Sequence, residues 1–132
     1  MFFELTYTAG LIIFFSSWLI DVDHYFWFVF SGKGINPLKA MKWYFKNGAS
    51  WENMPRRKRD KYKRGVFVFH SLILLVILFL LSFWIEVLFF VFLGFLIHLV
   101  ADIVKLIYDE EPFYLKTFPL VTVWKNRGLK EF

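Results

Sequence analysis

Three apolar stretches, residues 7–30, 66–83 and 87–107, dominate the chain and leave few architectures open to it. A hydrocarbon core of about 30 Å takes roughly 20 mainly apolar residues per helix, and all three stretches approach or exceed that length. The chain as a whole, 58% hydrophobic and 23% aromatic over 132 residues, lies far from soluble composition. The expected fold class is therefore an all-α membrane protein, with three transmembrane helices in a single integral membrane domain spanning residues 1–132. The first stretch has the length of a signal peptide. It carries Glu4, no Lys or Arg before Lys33 and no small-residue cleavage site, so it is expected to be a mature helix.

Charge sets the expected orientation. Eleven of the sixteen basic residues lie between Lys33 and Arg64, against Glu52 and Asp60 as acids. Short loops rich in Lys and Arg stay cytoplasmic. Loop 31–65 is thus expected inside, the N-terminus outside, residues 82–86 in a tight outer turn and the tail 108–132 in the cytoplasm. This describes a multi-pass protein of the cell (inner) membrane. The net charge of +5 is then a topology signal, and a nucleic-acid partner is not expected. Cysteine is absent, which removes disulfides and thiolate metal sites.

Within the loop, Asn36-Pro37 opens "PLKAMKWYFK", where Lys39, Lys42 and Lys46 recur at helical spacing beside Leu38, Met41, Trp43, Tyr44 and Phe45. This predicts a short cytoplasmic interfacial helix on the inner leaflet, ended by Asn47-Gly48. "MPRRKRDKYKRG" follows and abuts the second stretch. Its plain reading is an anchor that attracts anionic membrane lipids. A sharper one makes Arg56, Arg57 and Arg64 the head-group contacts of a substrate at the rim of an active site. The tail has mixed charge, two prolines and a β-like run at residues 120–124, and is a candidate lid over the cytoplasmic face.

The apolar stretches carry an unexpected polar load. Asp21, Asp23 and Asp102 lie within them, with Lys105 as the one strong base, and so do all three histidines, His24, His70 and His98. Each Asp at a helix centre costs about 2.5–3.5 kcal/mol on insertion scales, so such residues need partners. At about 1.5 Å per residue, Asp23, His70 and His98 fall roughly 6–14 Å below the inner boundary, one layer reached from three segments. His98 and Asp102, at i and i+4, share a helix face, as do Asp21 and His24 at i and i+3. Asp23 points about 160–200° from Asp21 on an ideal helix, so both reach one site only through a distorted turn or two metals. A divalent cation would balance the carboxylates and take neutral imidazoles as ligands. A purely structural network, with Asp21 and Asp23 paired to Arg64 or Lys105, is the alternative.

The same residues carry a family resemblance. "LIDVDH" resembles the PD-x-DH motif, "RGVFVFHSLILL" the RG-x-x-HS segment and "GFLIHLVAD" the G-x-x-x-H-x-x-x-D helix of the YdjM-like, LexA-regulated inner-membrane family of metal-dependent hydrolases. The resemblance covers about residues 10–107. It departs at Ile20, where the family has proline, at two extra residues before His70-Ser71, and at a missing N-terminal histidine whose nearest polar substitute is Glu4. The resemblance implies Asp21, Asp23, His24, His70, His98 and Asp102 as metal-site residues with Ser71 beside them, and chemistry on phosphoesters.

Two readings follow. In the first, the chain is a membrane-embedded metal-dependent hydrolase acting on a lipid or lipid-linked phosphoester at the cytoplasmic leaflet. Zinc is the expected cofactor, with manganese or iron as other candidates, and Asp23 or Asp21 serves as catalytic base. In the second, it is a non-enzymatic, metal-stabilised bundle acting as an oligomeric scaffold or ion-handling subunit, with Gly10, Gly94 and Ala101 allowing close approach of a second copy. A serine nucleophile is poorly supported: Ser71 adjoins His70 in sequence, which on a helix turns the two apart, and no G-x-S-x-G elbow occurs.

Overall fold

The computed structural model describes residues 6–131, and Glu4 lies outside them. Among the described residues the order is α1 (Tyr7–Leu19), α2 (Val22–Phe30), α3 (Pro37–Glu52), α4 (Arg56–Arg59), α5 (Leu72–Leu81), α6 (Glu86–Tyr108), α7 (Tyr114–Thr117) and α8 (Pro119–Lys125). The β pairing among them is one isolated bridge, Tyr62 with Lys130. The fold is all-helical. Two helices, Tyr7–Phe30 taken through its turn and Glu86–Tyr108, are long and apolar enough to cross a membrane. In each, 22% of the most apolar window is buried inside the molecule, whereas the core helix of a soluble protein is mostly buried. Both present their apolar surface outward.

α6 is the spine, packed against α1 on one side and α5 on the other. Ile20, Leu75, Phe95 and Leu99 form the buried centre of this packing, with Phe69, Leu78 and Val91 around it. Gly94 sets the α1–α6 distance: a Cβ there would overlap Ser16 Oγ and lie 2.5 Å from the Ile13 carbonyl oxygen. That glycine, expected to serve contact with a second copy, is used within the chain. Gly10 has open space around it.

Both N-terminal apolar stretches are interrupted. Between α1 and α2 the helix tightens, with Asp21 N bonded to Trp18 O (3.2 Å), Asp23 N to Ile20 O (3.3 Å) and His24 N to Asp21 O (3.0 Å), all spanning three residues. This is the 3₁₀ geometry of a local rewinding. The second stretch is helical only over Leu72–Leu81, about 15 Å of rise and half a hydrocarbon core. An 18-residue helix over 66–83 is therefore not formed. Ser71 caps α5 by accepting from Leu74 N at 3.2 Å, and the six residues before it are irregular. Buried irregular backbone must find partners within the protein, and here Phe69 N donates to the Asp23 carboxylate.

Two local expectations need correction. α3 runs through Asn47-Gly48 to Glu52, because Asn47 Nδ2 bonds the Trp43 carbonyl (2.8 Å) inside the helix instead of capping it. Its start is as expected, with Asn36 Oδ1 accepting from Leu38 N and Lys39 N. Residues 120–124 are helical, not strand: Pro119 sits at the start of α8, and buried Thr122 turns its hydroxyl to the Phe118 and Tyr114 carbonyls.

The tail docks on the basic loop. Asn126 exchanges two 2.8 Å hydrogen bonds with the backbone of Arg64, and Lys63 N donates to Lys130 O at 2.7 Å. Glu111, buried just past α6, binds Arg59 (2.8 Å) and Arg64 (2.7 Å) together.

Candidate metal centre

The break between α1 and α2 and the unwound start of α5 meet at His70, which is fully buried. Its ring lies between the two acids of the 3₁₀ turn. Asp23 Oδ2 is 3.2 Å from His70 Nδ1, and Asp21 Oδ1 is 3.9 Å from Nε2. The two carboxylates diverge, as helical geometry requires, and still converge on one residue because imidazole offers nitrogens on opposite edges. Asp23, also holding Phe69 N, fixes the ring through Nδ1 and turns Nε2 toward the remaining polar groups.

α6 supplies the other wall. His98 and Asp102 lie one turn apart, with His98 Nε2 3.6 Å from Asp102 Oδ2 and 3.4 Å from Asp21 Oδ1. Asp102 Oδ2 also stands 3.1 Å from His70 Nε2, yet neither atom completes a hydrogen bond there. The Lys116 ammonium, 3.1 Å from the same Asp102 oxygen, supplies one positive charge at this point.

Asp21, His70 and His98 each offer one donor atom, all within 4.8 Å of one another. Tetrahedral ligands at about 2.0–2.1 Å from zinc are separated by about 3.3 Å, and the contacts of 3.4 and 3.9 Å from Asp21 to the two imidazoles are close to that edge. Two imidazoles and a carboxylate also form a donor set suited to zinc or iron, with positions left for water or substrate. The residues fit a metal ion.

A cavity of about 440 Å³ opens onto this cluster, with Asp21, His24, His98 and Asp102 in its lining. His24 Nδ1 is 3.5 Å from Asp21 Oδ1, and its ring stacks on Phe67 at 4.4 Å. Tyr44 of α3 donates to the His24 carbonyl at 2.6 Å. Burial pushes the Tyr44 phenol well above its ordinary value, which keeps it a donor. Nearer the loop, burial lowers the Lys33 ammonium, with the Glu131 charge opposing, and its Nζ lies 4.2 Å over the Trp43 ring. Glu52, bonded to Lys105 at 2.7 Å, is held below the usual carboxylate range by that hydrogen bond and charge.

Of the residues singled out in sequence, the structure brings Asp21, His70, His98 and Asp102 face to face. Asp23 stands behind His70, and His24 beside Asp21. Neither Asp21 nor Asp23 pairs with Arg64 or Lys105: Arg64 is held by Glu111 and Asp60, Lys105 by Glu52 and Asp109. Arg56 lines a different cavity of about 490 Å³, shared with Arg64 between loop and tail, while Arg57 is exposed. Ser71 is a buried helix cap.

One participant was missed. Lys116, on α7, reaches Asp102 Oδ2 at 3.1 Å with its side chain 14% exposed. Its sequence signal is that it is the sole charge between Glu111 and Lys125, in an otherwise uncharged, aromatic-rich stretch. No protein-family model, curated protein or solved structure matches the chain, so the site is argued from its own geometry.

Proposed function

We propose that the chain is a membrane-embedded, metal-dependent hydrolase acting on a lipid or lipid-linked phosphoester at the cytoplasmic leaflet. The observation that carries this reading is the convergence of Asp21, His70 and His98 from three separate segments on one point. Charge count supports it: Lys116 pairs with Asp102, and one divalent cation beside neutral imidazoles would balance the remaining two carboxylates, Asp21 and Asp23. A bound cation of this kind supplies Lewis acidity toward a phosphoryl oxygen and acidifies a water.

The chain's own groups divide the remaining work. Asp21, His70 and His98 are the ligands; Asp23 orients His70, and His24 with Phe67 steadies Asp21. With Asp21 as ligand and Asp23 behind His70, the base role expected of those two passes to Asp102, which lies beside both histidines and can accept the proton of the attacking water. Lipid access is supported by Asp21, which borders both the polar cavity and an apolar groove of about 730 Å³ walled by Leu11, Phe15, Trp18 and Leu19. The acyl or prenyl chain of the substrate occupies that groove while its head enters the cavity.

In the membrane, α1–α2 and α6 cross, and α5 with its irregular lead-in forms a third crossing. The N-terminus lies outside, and the loop and tail lie in the cytoplasm. α3 rests on the inner leaflet through exposed Leu38, Met41 and Phe45, and Arg56 and Arg57 attract anionic head groups. The resemblance to the YdjM-like hydrolases agrees with this assignment.

The test is turnover. Zinc-loaded protein is incubated with vesicles of phospholipid or polyprenyl phosphate, and released head group or phosphate is measured. The expected result is metal-dependent release that chelation abolishes and that falls about 100-fold or more in Asp21→Asn. Release unaffected by chelation and by Asp21→Asn, or no release across the panel, would overturn the assignment.

A further inference from the structure

We infer that Lys116 binds the phosphate group of the lipid substrate, completing the site from the cytoplasmic tail; the inference rests on the hydrolase reading above. Lys116 Nζ lies 3.1 Å from Asp102 Oδ2, the oxygen that is itself 3.1 Å from His70 Nε2. The ammonium thus stands at the edge of the candidate ligand set and lines the same cavity. An ammonium offers three donors, and Asp102 can engage one of them. The others remain for a ligand.

Three other cations along that cavity are held by carboxylates away from the candidate ligands. Arg64 is bound by Glu111 and Asp60, Lys105 by Glu52 and Asp109, and Lys63 by Glu131. Lys33 sits over the Trp43 ring. Lys116 is the lysine that touches the cluster itself, and an anion entering to reach Asp21, His70 and His98 meets it there.

Simple anchoring of the tail does not account for this lysine. Buried Leu115 and Thr117 flank it, and Thr117 Oγ1 closes the turn on the Phe113 carbonyl at 2.9 Å. Burying an ammonium is unfavourable, and one carboxylate compensates it only in part. The Phe67 ring, 4.5 Å from Nζ, adds a weak cation–π contact. A phosphate would supply the second anionic partner.

Inorganic phosphate and short-chain phosphatidic acid are the probes, titrated calorimetrically into the zinc-loaded wild type, Lys116→Gln and Lys116→Arg, with bound zinc measured in each. We expect all three proteins to keep their zinc, Lys116→Gln to bind both probes about tenfold or more weakly, and Lys116→Arg to recover most of the affinity. Phosphatidic acid should bind more tightly than inorganic phosphate; equal binding would overturn the lipid assignment. Amine acylation of the wild type, read at Lys116 by mass spectrometry, gives a second measure independent of folding of the variants, and phosphate should protect the residue. Zinc-loaded Lys116→Gln with wild-type phosphate affinity, or labelling unchanged by phosphate, overturns the role of Lys116 while leaving the metal centre standing. Failure of the wild type to take up zinc removes the hydrolase reading and this inference with it.

Discussion

Asp23→Ala is expected to destabilise the protein by roughly 2–5 kcal/mol and to weaken metal binding about 10- to 100-fold. The carboxylate is 6% exposed and serves two buried donors, Phe69 N and His70 Nδ1. Truncation strands both, each at a cost of about 1–3 kcal/mol. It also frees the His70 ring to rotate and to move its proton to Nε2, the nitrogen that faces Asp21 and Asp102. Asp23→Asn keeps one acceptor oxygen and should lose less stability than Asp23→Ala while still weakening metal binding. Thermal unfolding in detergent and zinc titration read the two effects separately. An Asp23→Ala protein with wild-type melting and wild-type zinc affinity would contradict the placement of this residue behind His70.

Glu111→Ala should unfasten the tail. Its carboxylate is 5% exposed and bridges Arg59 and Arg64, each 10% exposed. Removing one member of a buried ion cluster leaves charge without compensation, at about 3–5 kcal/mol. Arg64 keeps the Asp60 carboxylate at 3.0 Å and the Trp51 ring at 4.7 Å, whereas Arg59 keeps the neutral Asp109 carbonyl at 3.2 Å, so most of the loss falls on Arg59. Beyond lower stability, limited proteolysis should cut within residues 112–131 in the variant at protease levels that spare the wild type. Equal melting temperature and equal protection would show that the tail is held by other contacts.

The hydrophobic pattern made the all-helical class and the two long apolar helices legible, and Asn36-Pro37 marked the start of α3. The sequence put Asp23, His70 and His98 in one layer and His98 with Asp102 on one helix face; which acids would face the histidines, Asp21 and Asp102, with Asp23 behind His70, was not separable from the six candidates. The interruptions were not. Residues 66–71 carry the same apolar character as the helix after them, and what unwinds them is tertiary: the Asp23 carboxylate takes Phe69 N out of the helical ladder. Residues 120–124, rich in β-branched side chains, fold as helix because Pro119 starts the turn and Thr122 is buried against Tyr114. The fate of Arg64 was hidden for a similar reason, since its partners Glu111 and Asn126 lie 47 and 62 residues away. Lys116 escaped because a lone lysine in an aromatic-rich tail acquires meaning only once α7 is seen packed on the end of α6.

The central claim is that the buried acids and histidines hold metal, and elemental analysis of detergent-purified protein, wild type beside His98→Ala, tests it most directly. Three donors around one point predict about one divalent ion per wild-type chain and its loss from the variant. A wild type that stays metal-free after addition of zinc or manganese, or a His98→Ala protein that retains full stoichiometry, would contradict it.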